Sequence, residues 1–203
     1  MPEPAVGRAL RTSFFSRPTL EVARELLGTV LVSMVGGKVT AGMIVEVEAY
    51  HQDGDLASHT SIGRTSRNEV MFWEGGHCYV YFIYGMHHCV NVVTENSGTG
   101  AAVLIRAVEP LVGLEVMQRR RRLGSRYTPC ELTAGPGKLC QALGINRSLL
   151  GHHFMTSPTV RIERYKNFRE TSIACGPRIG ISKSKELPWR LAIKDHPCLS
   201  RPI

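Results

Sequence analysis

Short apolar runs separated by turn residues dominate the first part of the chain. Residues 29–33 and 39–50 are typical of two strands, and Gly36 with Gly37 between them predicts a hairpin. Before them, residues 19–27 carry apolar positions at helical spacing and predict a first helix. This half of the chain therefore begins with one helix followed by an antiparallel strand pair.

The later pattern alternates strand-like runs with turn-rich connections. A long polar loop, residues 51–70, comes first, and loops of this length are usually functional or mobile. The 203 residues contain no repeat and suit one domain, residues 1–203, with a full core. Strands are predicted at 79–86, 89–93, 101–107, 160–164, 179–182 and 191–193, and helices at 109–123 and 138–143.

Two acidic residues interrupt the predicted strand at 39–50. Alternation places Glu46, Glu48 and Tyr50 on one face of the strand and apolar residues on the other. A carboxylate in a β-branched run is disfavoured by desolvation unless it has a use. One use is a structural ion pair with one of the 25 Lys and Arg residues. The other is activation of a water by Glu48, with Glu46 completing the carboxylate pair of glycosidic chemistry.

The strand after the polar loop is crowded with tyrosine. We interpret Tyr79 as cross-strand packing, since tyrosine is a favoured strand residue. Tyr84 precedes a Gly85-Met86 turn, where a bulky side chain is suited to wedge into a base stack. Tyr81 is suited to stack a displaced base. Acidic and aromatic residues together favour chemistry on a nucleobase.

The charge balance favours a polyanionic partner. The formal net charge is +8, which is typical of proteins that bind nucleic acid. Arg64, Arg67 and Lys138 are candidates for phosphate contacts. The run at 119–122 is either a solvated helix face or a patch that contacts the DNA backbone.

The cysteine pattern does not suggest a zinc ribbon. Six cysteines are scattered without a Cys-x-x-Cys pair, and the zinc deaminase signature is absent. We therefore predict free thiols in a reducing, intracellular compartment. No run of about 18 apolar residues occurs, so no membrane span is expected.

Taken together, these residues resemble the alkyladenine DNA glycosylase family, also called methylpurine or 3-methyladenine DNA glycosylases. The resemblance covers roughly residues 10 to 195, and its most specific segments contain Glu48 and Tyr84. Its motifs are Gly42-Met-Ile-Val-Glu-Val-Glu-Ala-Tyr50, His59, Arg67-Asn68, Met71-Phe72, Tyr79-Val-Tyr-Phe-Ile-Tyr-Gly-Met86, Asn91, Val103 to Pro110, Gly135 to Asn146 and Arg178-Ile-Gly-Ile181.

The resemblance implies an α+β fold. We expect a single compact domain with a curved antiparallel sheet, flanking helices and a protruding β-hairpin. It also implies a monomer without metal or cofactor. By the same resemblance, Glu48 is the general base, Arg106 helps to position the water, and Tyr84 takes the vacated place in the duplex.

The pocket residues are implied in the same way. Tyr50, His59 and Tyr81 match residues that sandwich the flipped purine. Asn91 matches the asparagine that disfavours the guanine amine, and Ile179 matches a residue whose carbonyl contacts the water. Met86 joins Arg64, Arg67 and Lys138 as an expected contact to the DNA backbone.

The expected function is a monofunctional glycosylase that initiates base excision repair. It would flip alkylated or deaminated purines out of double-stranded DNA and hydrolyse the N-glycosidic bond, without strand cleavage. Two alternatives stay open, a damage-binding protein without catalysis and a hydrolase of free nucleosides. The expected location is the cytoplasm or nucleoid of a bacterium, or the nucleus of a eukaryote. Where animal members carry an aromatic residue after Gly-Met, this chain has His87-His88.

Overall fold

The structure, a computed structural model, describes residues 9–203. The predicted domain begins at residue 1, so its first eight positions lie outside the described residues. The α-helices are α1 (Thr12–Phe15), α2 (Thr19–Leu26), α3 (Leu114–Arg121) and α4 (Pro136–Leu143). The strands are β1 (Val30–Ser33), β2 (Thr40–His51), β3 (Cys78–Ile83), β4 (His87–Val93), β5 (Ala101–Val112), β6 (Val160–Glu163), β7 (Ile173–Gly176) and β8 (Arg190–Ile193).

The strands form one antiparallel sheet in the order β3-β4-β5-β2-β1-β6. β8 pairs with β2 and with β7, which adds a branch to this order. The sheet with its few helices confirms the predicted α+β class and antiparallel arrangement.

β2 lies at the centre of the sheet and changes neighbours along its length. One edge pairs with β5 almost throughout, whereas the other edge pairs with β1 up to Met43 and with β8 from Glu46 to Glu48. Irregular register marks the change, because the pairing with β5 skips Val45 on β2 and Arg106 on β5. The acidic half of β2 is therefore enclosed by strands on both edges.

The first predicted elements are confirmed. The predicted helix at 19–27 is α2, which buries Val22, Ala23 and Leu26 and makes contacts with β2. The predicted hairpin joins β1 to β2 through a 3-10 turn at Val35–Gly37. The core continues on both faces of β2 and β5, whose central residues are almost all buried.

The prediction of a helix over 109–123 is wrong at its start. β5 continues to Val112, and α3 begins only at Leu114, after Gly113 with a φ of 78°. Pro110 is tolerated in the strand because β4 pairs with β5 only from Ala102 to Leu104. Pro110 thus has a neighbouring strand on one side only, which leaves room for a residue without an N–H.

The predicted strand at 179–182 is also wrong. The strand in this region is β7, which ends at Gly176 and precedes Pro177. The N–H of Ile179 donates to a side chain instead of a β ladder, and Gly180 has a φ of 78°. Pro177 has no N–H to donate to a neighbouring strand and Gly180 has a positive φ, so this stretch does not form a strand despite its strand-like composition.

The prediction that all six cysteines are free thiols is wrong as well. Cys130 and Cys198 form a disulfide that joins a 3-10 turn at Pro129–Leu132 to the segment after β8. The remaining cysteines, Cys78, Cys89, Cys140 and Cys175, are free, and only Cys175 is exposed. Between residues 9 and 203, no helix has the length and apolar character needed to cross a bilayer.

Candidate active site

Glu48 is fully buried near the end of β2 and is held by donors from three parts of the chain. Its Oε1 accepts the backbone N–H of Ile179 at 2.7 Å. Its Oε2 accepts the hydroxyl of Tyr50 at 2.8 Å and lies 3.2 Å from Nη1 of Arg106. A carboxylate offers about four acceptor sites, so these three donors leave capacity for one more.

Glu46 is also fully buried, but its partners differ from those of Glu48. Nε of Arg106 and Nε of Arg190 lie 3.2 and 2.8 Å from its Oε1. The hydroxyl of Ser200 donates to Oε1, and the N–H of Ser200 donates to Oε2. This carboxylate is satisfied by structural partners, which contradicts its predicted role beside Glu48 in a catalytic pair.

A pocket of about 630 Å³ lies next to the groups that bind Glu48, although the fully buried Glu48 is not itself among its lining residues. The three residues that bind the Glu48 carboxylate, Tyr50, Arg106 and Ile179, all line it. Aromatic, apolar, cationic and neutral polar residues make up the rest of the wall. They are Leu56, Ala57, His59, Arg67, Met71, Tyr79, Tyr81, Ile83, Tyr84, His87, Cys89, Asn91, Leu104, Pro136, Gly137, Gly180, Ile181, Ser182, Lys183 and Arg201.

The aromatic wall is held by contacts between the polar loop and β3. Nδ1 of His59 lies 3.0 Å from the hydroxyl of Tyr79, so Tyr79 positions His59 in addition to packing as predicted. The rings of His59 and Tyr81 are 4.7 Å apart at 74°. A planar base needs about 7 Å between two parallel rings, so it does not fit between these two. A stacked base would therefore lie between this edge-to-face pair and another wall.

Burial sets the protonation of these aromatic groups. It raises the pKa of Tyr50 and of Tyr81 far above the ordinary value, and the Glu48 carboxylate raises that of Tyr50 further. Burial and, second, the charge of Arg67 lower the pKa of His59. At neutral pH the wall therefore presents the protonated phenols of Tyr50 and Tyr81 and a neutral imidazole at His59.

Asn91 belongs to β4 and is 4% exposed. Its Nδ2 donates to the backbone oxygen of Tyr79 at 3.0 Å, across the β3–β4 pair. This hydrogen bond fixes the orientation of the side-chain amide on the pocket wall.

Tyr84 is at the tip of the β3–β4 hairpin, which joins Ile83 to His87. Its side chain is 78% exposed and its φ is 53°, a left-handed conformation that is costly for a tyrosine. Met86, two residues later, is 69% exposed. Two large side chains on a strained tip are available to a partner, and Tyr84 also lines the pocket.

The predicted cations do not all face the pocket. Arg67 lines it, whereas Lys138 is exposed in the first turn of α4, next to the lining residues Pro136 and Gly137. Arg64 packs its guanidinium 5.1 Å from the ring centre of Phe72 and is not among the pocket residues.

The arginine run at the end of α3 divides between two environments. Arg119 and Arg122 are exposed, whereas Arg120 donates to the backbone oxygens of Val35 and Ala142. Arg120 therefore belongs neither to a solvated helix face nor to a patch that contacts the DNA backbone. It holds α3 against the core and is unavailable to DNA.

Residues 13–197 match the family model described as methylpurine-DNA glycosylase. The chain belongs to the methylpurine-DNA glycosylase family. This confirms the predicted resemblance, and family membership supports a DNA glycosylase function in DNA repair.

Three relatives with this likeness each carry the name "Putative 3-methyladenine DNA glycosylase". The protein of Methanocella arvoryzae is 46% identical over 195 residues, 95% of this chain and 96% of its own. That of Nitrosospira multiformis is 46% identical over 190 residues, 93% and 92% of the two chains. That of Bradyrhizobium diazoefficiens is 45% identical over 201 residues, 98% and 94% of the two chains.

Sequence reasoning missed several residues in the pocket of this family member and behind its wall. Lys183 and Arg201 line it but lie in segments without a recognisable chemical motif. Asp55 and Arg178 form a buried ion pair in which both Asp55 oxygens accept from Arg178 at 2.6 Å. The two residues are 123 positions apart, so no local pattern indicates their contact. The described residues hold no group of three or more His, Cys, Asp and Glu side chains suited to a metal.

Proposed function

We propose that this protein removes damaged purines from double-stranded DNA as a monofunctional glycosylase. One observation carries the proposal: a fully buried carboxylate, Glu48, is bound by three groups that all line an aromatic pocket of about 630 Å³. Pockets of roughly 300–1,000 Å³ accept compact ligands, a range that suits one extruded base. The name of the relatives favours 3-methyladenine among the substrates.

The proposed reaction is hydrolysis of the bond between the purine and C1′ of its deoxyribose. Glu48 takes a proton from a water as the water oxygen bonds to C1′, and the bonding electron pair leaves with the base. The products are an abasic site and a free base. The carboxylate also stabilises positive charge that develops on the sugar in the transition state. Arg106 and the N–H of Ile179 fix the carboxylate for this step.

The hairpin tip supplies the means to open the duplex. Tyr84 enters the stack in place of the extruded nucleotide, and Met86, Arg67 and Lys138 contact the DNA backbone around it. The base stacks against Tyr50 and the His59–Tyr81 pair, and Asn91 disfavours the exocyclic amine of guanine. Alkylated purines carry positive charge, which aromatic faces attract by about 0.5–2 kcal/mol. Deaminated purines are neutral and lack this attraction.

Arg64 is proposed to contact the DNA backbone at a greater distance from the pocket than Arg67 does. Its guanidinium is already in contact with Phe72, outside the pocket. We propose that Lys183, a lysine on the pocket wall, forms no covalent bond to C1′, so that the reaction is hydrolysis without strand cleavage, and that one copy acts alone.

A base-release assay tests the proposal. Duplexes containing 3-methyladenine, 7-methylguanine, hypoxanthine or ethenoadenine are incubated with the protein, and free base is quantified by chromatography. Release of an alkylated base, with intact strands until alkali is added, is the expected result. Binding to the same duplexes without release would instead indicate a damage-binding protein. Faster release from free nucleosides than from duplex DNA would indicate a nucleoside hydrolase.

A further inference from the structure

The buried ion pair of Asp55 and Arg178 lies against the ring of Tyr50 and takes no part in the proposed reaction. Asp55 is 1% exposed and Arg178 is 5% exposed. The guanidinium carbon of Arg178 lies 4.6 Å from the centre of the Tyr50 ring and 5.4 Å from that of Trp189. A full positive charge is therefore in contact with a wall of the base pocket.

The same pair joins the two segments that enclose Glu48. Nη1 of Arg178 also donates to the backbone oxygen of Ala49, and Asp55 accepts the backbone N–H groups of His51 and Ala57. The residue after Arg178 is Ile179, whose N–H binds Glu48. Each side chain of the pair also binds backbone groups, so the positions of both charges are fixed.

An unpaired arginine at this position would oppose a cationic substrate. It would occupy the electron-rich face of Tyr50, which is the feature of the ring that attracts a cation. It would also repel the substrate directly. A base stacked about 3.5 Å from the other face would have its charge about 8 Å from the guanidinium carbon.

We propose that Asp55 cancels the charge of Arg178 behind Tyr50 and thereby lets the pocket accept a positively charged purine. Asp55 then acts as a residue that sets substrate preference, although it does not touch the substrate. This inference rests on the proposed function, because it assumes that the pocket receives a damaged purine.

The proposal predicts opposite effects of the two single substitutions on the preference for the cation. This distinguishes a role in substrate preference from a purely structural role. Asp55→Asn leaves Arg178 uncompensated and should disfavour the cation. Arg178→Met removes the positive charge and should leave the preference for the cation equal or greater. Loss of packing alone would weaken cationic and neutral substrates alike in both variants.

The experiment compares two bases of the same shape and different charge. One duplex carries 3-methyladenine, which is cationic in the nucleotide, and the other carries 3-methyl-3-deazaadenine, its neutral isostere. Dissociation constants are measured in the Glu48→Gln background, which every variant shares, so that its own effect on the ratio cancels. Glu25→Gln, which breaks an exposed ion pair with Arg17, is the matched control.

The expected result is a loss of preference for the cation in Asp55→Asn by about twofold to thirtyfold. This is the range of Coulomb's law for unit charges about 8 Å apart as the effective dielectric constant falls from about 80 to about 20, with the Asp55 carboxylate, which is hydrogen-bonded to the guanidinium, placed at about the same distance from the base. The double variant Asp55→Asn/Arg178→Met and Glu25→Gln should keep the parent ratio. An unchanged ratio in Asp55→Asn, or a lowered one in Arg178→Met, overturns the inference.

Base release by the wild-type protein is measured first. No release from any methylated duplex would contradict the proposed function. Normal release together with an unchanged ratio in Asp55→Asn would contradict only the role of Asp55. If Asp55→Asn does not fold, Arg178→Met still tests the sign, and a fall in its preference for the cation decides against the proposal.

Discussion

Two carboxylates, Glu46 and Glu48, lie one alternation apart on β2, and both contact the guanidinium of Arg106. Around Glu46, Arg190 and Ser200 supply further donors, and the backbone oxygens of Arg201 and Pro202 bind Arg190 in turn. Around Glu48, the other donors are a phenol and a backbone N–H that line the pocket.

The difference lies in what surrounds each carboxylate. Glu46 has two guanidinium partners and belongs to a network that closes on the segment after β8. Glu48 has one guanidinium partner, and every group that binds it also faces the pocket. A buried acid that is fully paired is structural, whereas one with spare acceptor capacity beside a cavity can accept a proton from a ligand.

Arg106→Met should have the largest effect, because it removes the cation that the two carboxylates share. Both acids stay buried after the substitution, and breaking such pairs typically lowers the free energy of unfolding by about 3–5 kcal/mol. Urea denaturation measures this, with Arg119→Met, an exposed arginine of α3, as the control. A change below about 1 kcal/mol would show that Arg106 is not needed to hold the two acids.

Cys198→Ser should act on the Glu46 side only. It breaks the disulfide that holds the segment containing Ser200, and such losses typically lower the free energy of unfolding by about 2–4 kcal/mol. Wild-type protein in a thiol reductant should show the same loss in urea denaturation. The exposed free cysteine provides the control, since Cys175→Ser should leave stability unchanged. Equal stability with and without reductant would contradict the disulfide.

Tyr84→Ala should act on the Glu48 side only. Its ring is exposed, so the melting temperature should hold, while the loss of base stacking should weaken binding to lesion duplex by about 1–3 kcal/mol. Fluorescence anisotropy gives the dissociation constant, and Phe82→Ala, an exposed aromatic of the same hairpin, is the control. Unchanged affinity would remove Tyr84 from its wedge role. A melting temperature lower by many degrees would show that the ring packs in the core.

The smallest expected effect concerns the pKa of His59, which burial and the charge of Arg67 lower. The unfolded chain therefore binds this proton first as pH falls. The resulting contribution to stability is present above about pH 6.5 and is lost as the pH decreases through the folded pKa.

NMR titration of the His59 ring measures this directly. Arg67→Ala should raise the pKa of His59 while leaving it below the ordinary value, because burial, the larger cause, remains. Arg64→Ala, which removes a cation in contact with Phe72, should not move it. A pKa that stays fixed in Arg67→Ala would contradict the electrostatic contact.

Local patterns were sufficient to predict much of the fold. The alternation at 39–50 fixes β2 and places Glu48, and Pro136 with Gly144 limits α4 at both ends. The extension of β5 through Pro110 was not predictable, because it depends on where the neighbouring strand β4 stops. The strand prediction at 179–182 failed because the backbone N–H of Ile179 donates to Glu48, a partner 131 positions away, and not to a neighbouring strand.

The candidate site shows the same division. Glu48, Tyr50 and Tyr84 follow from strand alternation and a turn, which are local. The structural use of Glu46 depends on Arg190 and Ser200, at separations of 144 and 154 residues. Long-range pairs of this kind leave no local signal in one sequence, so the structural partners of Glu46 could not be predicted before the fold was known.

Single-turnover release of 3-methyladenine by Glu48→Gln and Glu46→Gln, with urea denaturation of both, tests the central claim most directly. Glu48→Gln should slow release by about 10²- to 10⁴-fold while keeping duplex affinity. Glu46→Gln should slow release far less and lose more stability, because it leaves Arg190 without its carboxylate. Release by Glu48→Gln within tenfold of wild type, or a greater loss of release in Glu46→Gln, would contradict the account.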